Sequence, residues 1–147
     1  MGKPKKLITK DEAIALEDYW LKTRGKAIEG ACGYQDCREY WYSLNDLQDY
    51  IDYVKKKAKK KGYKTKDLGL RIYLGTYPPT KDKHDGLSTV FLAPTVKKSQ
   101  PPKSQGKDGS TDGDDDQENI YDIEPLNKGG NGWPPNNYGD GGDGGGD

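Results

Sequence analysis

Arg71, Tyr73, Tyr77 and His84 are the residues of this chain whose types and spacing come nearest to chemistry. Arg71 and Tyr73 stand two apart in an extended stretch, so their side chains share one face. A guanidinium beside tyrosine hydroxyls can hold a carboxylate or a phosphate. An imidazole in the following loop titrates near neutral pH and can move a proton. No nucleophile–base pair, phosphate loop or carboxylate dyad accompanies them, so the set points to binding. A small enzyme built on Arg71 and His84 is the third reading.

A second group is cationic. Lys55, Lys56, Lys57, Lys59, Lys60, Lys61, Lys64 and Lys66 place eight lysines in twelve residues. Such a run can neutralise several phosphates at once, giving salt-dependent, sequence-blind affinity for nucleic acid, with Tyr63 at hand to stack on bases. The plainer reading is a solvated helix end whose lysine stems cover apolar surface. The formal net charge of zero conceals a division: residues 1–100 carry 21 Lys/Arg against 13 Asp/Glu, and residues 101–147 carry 3 against 11. A tethered acidic segment sits at high effective concentration near a basic body. It is expected to shield the lysines, so that deleting residues 101–147 raises affinity for polyanions.

Metal chemistry finds little support. Residues 108–119 place oxygen-bearing side chains at positions 1, 3, 5 and 9 of a calcium loop, with Gly113 at position 6. The loop ends on Asn119 where a bidentate Glu belongs, and Asp115 replaces an apolar residue, so the stretch reads as an acidic linker. Cys32 and Cys37 with a single histidine fall short of four zinc ligands and read as free thiols. No metal and no cofactor is implied.

These groups need elements to hold them. Residues 68–77 and 87–93 read as the two strands of a hairpin. In the first, Leu68, Leu70, Ile72 and Leu74 alternate with Arg71, Tyr73 and Tyr77, which predicts an even-numbered core face and an Arg/Tyr face opposite. Thr9 and Glu12 have capping-box spacing and open a helix to about Arg24, stopped by Gly25; its apolar stripe is expected to lie on a sheet or another helix. Residues 25–42 show no period and read as a loop. Ser43 then caps a second helix, in which Leu44, Leu47, Ile51, Val54 and Ala58 recur at three- and four-residue steps until Gly62.

With 31% hydrophobic and 33% charged residues, the chain is poor in core material, and the shortage concentrates at its end. From Pro101 onward there are twelve Gly and five Pro in 47 residues, a proportion that signals disorder. One apolar island interrupts that tail: Ile120, Tyr121, Ile123 and Leu126 suit a strand added to the hairpin edge, or a docking peptide for another protein.

Trp41-Tyr-Ser-Leu, then Leu70-Arg-Ile-Tyr-Leu-Gly-Thr-Tyr-Pro78, then Ser88-Thr-Val-Phe-Leu-Ala-Pro-Thr95 resembles an uncharacterised family of small bacterial proteins. The Gly/Pro-rich ending near Pro125-Leu-Asn-Lys-Gly-Gly130 is similar to that family too, and the resemblance spans roughly residues 38–138. It implies a shared fold and carries no activity or site residue across.

The expected architecture is α+β: two helices on a small antiparallel sheet over residues 7–97. An acidic, largely disordered Gly/Asp-rich tail over 98–147 follows, with a candidate docking segment at 119–126. The expected function is a small binding or interaction module without catalysis of its own. It would bind through Arg71, Tyr73, Tyr77 and His84 and through Lys56, Lys57, Lys60 and Lys61. Its partner would be another protein or its own C-terminal tail, with nucleic acid as the alternative. No membrane is implied: the basic N-terminus lacks the apolar run of a signal peptide, so the cytoplasm is the expected compartment.

Overall fold

The computed structural model describes residues 2–78, 86–98, 116–131 and 138. They fall into two compact units: Met1–Trp41 with Tyr77–Ser88 and Gly130–Asp147, and Tyr42–Thr76 with Thr89–Gly129.

In the first unit α1, Lys10–Trp20, starts from a complete capping box. Glu12 N–H donates to Thr9 Oγ1 at 3.1 Å, and Thr9 N–H donates to the Glu12 carboxylate at 2.7 Å. The predicted stop at Gly25 is not observed. Gly25 keeps right-handed helical angles, and the helix passes through a π-type turn at Leu21–Gly25 into α2, Lys26–Cys32. The stop is Gly33, whose positive φ of 79° is the left-handed conformation that glycine adopts without a Cβ penalty. Half of the expected loop is therefore helix. The apolar stripe of α1 is also less covered than expected, since Leu16 and Tyr19 are exposed. The unit's only ladder among the described residues pairs β1, Tyr40–Trp41, antiparallel with β5, Gly130–Asn131.

The second unit is α+β. Helix α3, Leu44–Lys60, opens on Ser43, whose hydroxyl accepts from Asp46 N–H at 2.9 Å. It closes at Gly62 (φ 86°), with Tyr63 N–H reaching back to Ala58 O at 3.0 Å. Strands β2, Leu68–Thr76, β3, Ser88–Lys97, and β4, Gln117–Asn119, form an antiparallel sheet in the order β2-β3-β4. Tyr50, Val54 and Ala58 of α3 pack on Leu92 and Val96 of β3 and on Ile120 and Ile123, which follow β4. The chain past Ile123 stays on the sheet: Leu126 and Leu92 exchange both backbone hydrogen bonds, at 2.8 and 2.9 Å.

The even-numbered face of β2 is the main correction to the sequence reading. Leu68 joins the core, but Leu70, Ile72 and Leu74 are 37, 66 and 83% exposed. The helix supplies the reason. It lies over β3 and the β4 segment, so Leu92 and Val96 use the cover and most of the edge strand projects beyond it. The odd-numbered row of β2 is the more enclosed one.

Candidate binding site

The odd row meets β4. Arg71 donates through Nη1 to Asn119 Oδ1 at 2.6 Å and through Nη2 to the Gln117 carbonyl at 3.2 Å. Asn119 Nδ2 donates to the Tyr73 hydroxyl at 2.7 Å and lies 3.5 Å from the Tyr121 hydroxyl. Tyr73 stacks on Phe91 of β3, with ring centroids 5.0 Å apart and planes 16° from parallel. Gly69 has no side chain for a reason: a Cβ there would stand 2.8 Å from Thr95 Oγ1, which itself donates to Gln117 Oε1 at 2.8 Å. Arg71, read from sequence as an anion holder, thus spends its guanidinium across the sheet, fastening β4 in place.

Beyond Asn119 the face opens into a cleft of about 310 Å³. Tyr73, Phe91 and Tyr121 line it with Pro94, Pro125 and Asn119, and no charged side chain of the described residues does. Tyr121 is 89% exposed. Chemically, this is a set of aromatic and aliphatic surfaces, with Pro125 and the tyrosine hydroxyls at the rim.

The other sequence-predicted residues disperse. Tyr77 belongs to the first unit, where its N–H donates to Leu87 O at 3.0 Å. His84 and the candidate calcium loop at 108–115 lie outside the described residues. Lys61 pairs with Asp122, and Lys57 Nζ sits 5.7 Å from the Tyr53 ring centroid. Lys56 and Lys60 are exposed on α3. The apolar island divides: Ile120 and Ile123 enter the core against α3, Tyr121 stands out at the cleft, and Leu126 bridges to Leu92. Gln117 and Asn119 of β4, just ahead of the island, meet Arg71 on the Arg/Tyr face. Phe91, Pro94, Asn119 and Pro125 carried no advance signal, because nothing local marks two distant segments that end beside each other.

Hydroxyls and carboxylates fasten α3 to the island. Tyr50 donates to the carbonyls of Leu92 (3.2 Å) and Glu124 (2.8 Å). Burial, then Tyr53 and Glu124, push its pKa from 10 up to about 12. The Tyr53 hydroxyl bonds to the Glu124 carboxylate and holds it below the usual carboxylate range, and Lys61 does the same for Asp122. The signs follow. Tyr50 has a raised folded pKa, so its contribution is whole below pH 10 and lost as pH rises through about 12. Glu124 and Asp122 have depressed ones, so theirs is whole above the ordinary carboxylate range and lost in acid. Urea midpoints are therefore expected to fall at both ends, with Tyr50→Phe blunting only the alkaline arm.

The first unit holds a separate polar knot. Asp36 Oδ1 accepts from Cys37 N–H and Ser88 N–H, both at 2.8 Å, and Oδ2 accepts from the Ser88 hydroxyl. Burial, then Asp36 and Glu39, push the Cys37 thiol to about 11, and burial, then Asp36 and Cys37, push Tyr40 to about 12. A thiol held protonated is a poor nucleophile, so the knot reads as structural. Cys32 and Cys37 are both free thiols, the first exposed and the second buried.

No protein-family model, curated protein or solved structure matches this chain. The resemblance carried by the hairpin motifs accordingly gains no family assignment. Among the described residues, no cluster of three or more His, Cys, Asp or Glu is placed to hold a metal ion, and no helix is long and apolar enough to cross a membrane.

Proposed function

We propose that this protein is a cytoplasmic interaction module, without catalysis of its own, that binds an extended proline-bearing peptide in the Tyr73/Phe91/Tyr121 cleft. The observation that carries this reading is the lining: three aromatic rings beside Pro125 and further apolar side chains, with no charge among them. Aromatic-lined grooves receive polyproline-type peptides because those ligands are already extended and lose little entropy on binding. The tyrosine hydroxyls at the rim suit the peptide carbonyls. A polyanion fits the cleft less well, since the lysines at 55–60 lie on α3, which packs against the opposite face of the sheet. Two free cysteines agree with a reducing compartment.

The test is an NMR titration of the full chain with a proline-rich decapeptide and, separately, with oligo-dT. The peptide is expected to shift the Tyr73, Asn119 and Tyr121 signals. Tyr121→Ala, at an exposed position that leaves the fold intact, is expected to weaken binding about tenfold or more. Shifts confined to Lys55–Lys60, produced by oligo-dT and suppressed by salt, would replace this reading with nucleic-acid binding.

A further inference from the structure

Strand β2 is an edge strand, and its sequence is close to a palindrome. About Ile72, Leu70 mirrors Leu74 and Gly69 mirrors Gly75, with Arg71 opposite Tyr73 and Leu68 opposite Thr76. Its backbone groups have a definite direction. Leu92 of β3 spends its N–H and carbonyl on Leu126, on the β4 side, so the odd-numbered residues of β3 point towards β2. The residues beside them are Gly69 next to Thr95, Tyr73 on Phe91 and Gly75 next to Thr89. The odd positions of β2 therefore bond to β3, and the N–H and carbonyl groups of Leu70, Ile72 and Leu74 face the open edge.

Within the strand itself the usual guards of an edge are lacking. Leu68–Thr76 holds no Pro and no Lys, and its one charge, Arg71, is directed across the opposite face to Asn119 and Gln117. On the even face Leu70, Ile72 and Leu74 are exposed. Beside Leu70 runs a second cleft of about 310 Å³, lined by Ile51, Val54, Thr65 and Leu68 among others.

We infer that β2 pairs with the β2 of a second copy of this chain, antiparallel and centred on Ile72, joining two three-stranded sheets into one of six. Two-fold pairing requires a self-complementary surface, and the palindrome supplies it. Leu70 meets the partner's Leu74 in an uncharged row. Arg71 meets the partner's Tyr73, so no like charges face each other. The six outward backbone groups of Leu70, Ile72 and Leu74 find their partners in the same register. This inference does not rest on the peptide-binding reading, whose cleft lies on the other face of the sheet.

Sedimentation equilibrium of the full chain, from micromolar to millimolar, is the test. A dimer is expected, and Ile72→Lys, at an exposed position that leaves circular dichroism unchanged, is expected to weaken it about thirtyfold. A second variant probes the register: two-fold related Cα atoms at position 72 would lie about 5.5 Å apart, within disulfide reach. Ile72→Cys in a Cys32→Ser background is expected to form a covalent dimer on oxidation. A wild-type chain that stays monomeric throughout overturns the inference. So does a dimer indifferent to Ile72→Lys, or an introduced thiol that does not cross-link.

Discussion

Ile123→Ala is expected to lower the unfolding free energy of the second unit by about 3 kcal/mol. Ile123 is 1% exposed and sits in the cluster of Tyr50, Val54, Ala58, Leu92, Val96 and Ile120. Truncation removes its transfer free energy and leaves a cavity that the surrounding structure closes only in part. The measurement is a urea titration, read as a lower midpoint at an unchanged slope. Tyr121→Ala, two residues away and exposed, should stay within about 0.5 kcal/mol of wild type. If the two variants cost the same, Ile123 does not pack in the core beneath α3. The same packing reshapes the shielding hypothesis. Deleting residues 101–147 removes Ile120 and Ile123 from the core, so that truncation would report unfolding together with any change in charge. Neutralising the acidic residues at 108–116 is the cleaner test of whether the tail screens the lysines.

Asp36→Ala carries the second large effect, about 3 kcal/mol on the first unit. Asp36 is 5% exposed and accepts from two backbone N–H groups and one hydroxyl. Removing it leaves these three donors without their acceptor at a buried position. Asp36→Asn should cost less, because its remaining carbonyl oxygen still accepts while its amide nitrogen cannot. Two local readouts accompany the loss of stability: faster hydrogen exchange at the Cys37 and Ser88 amides, and faster labelling of the Cys37 thiol. Unchanged exchange at Ser88 would show that the carboxylate does not tie these segments together.

Both predictions concern residues that sequence reading weighed differently. Ile123 stood out as apolar in a polar tail, but its destination was open between the hairpin edge and another protein. Asp36 carried no signal at all, since one acidic residue in an aperiodic stretch looks like any solvated charge. Helix α3 was legible because its caps and its three- and four-residue steps are local features. The first helix was legible at its start for the same reason, and misread at its end. Gly25 and Gly33 are equivalent as letters, and only the path of the backbone decides which one takes a positive φ.

The strand β2 draws the line between the two kinds of information. The alternation of Leu68, Leu70, Ile72 and Leu74 with Arg71 and Tyr73 determined by itself that this stretch is extended and two-faced, because side chains alternate on any strand. The α+β class followed from that alternation and from the period of α3. Which face would be buried was beyond it. Alternation says that two rows differ, while burial depends on the footprint of whatever packs above them. The footprint of α3 ends over β3 and the island, so Leu92 and Ile123 went inside and Ile72 stayed out. Asn119 and Tyr121, more than forty residues away along the chain, complete the cleft around Tyr73, and only the tertiary structure brought them there.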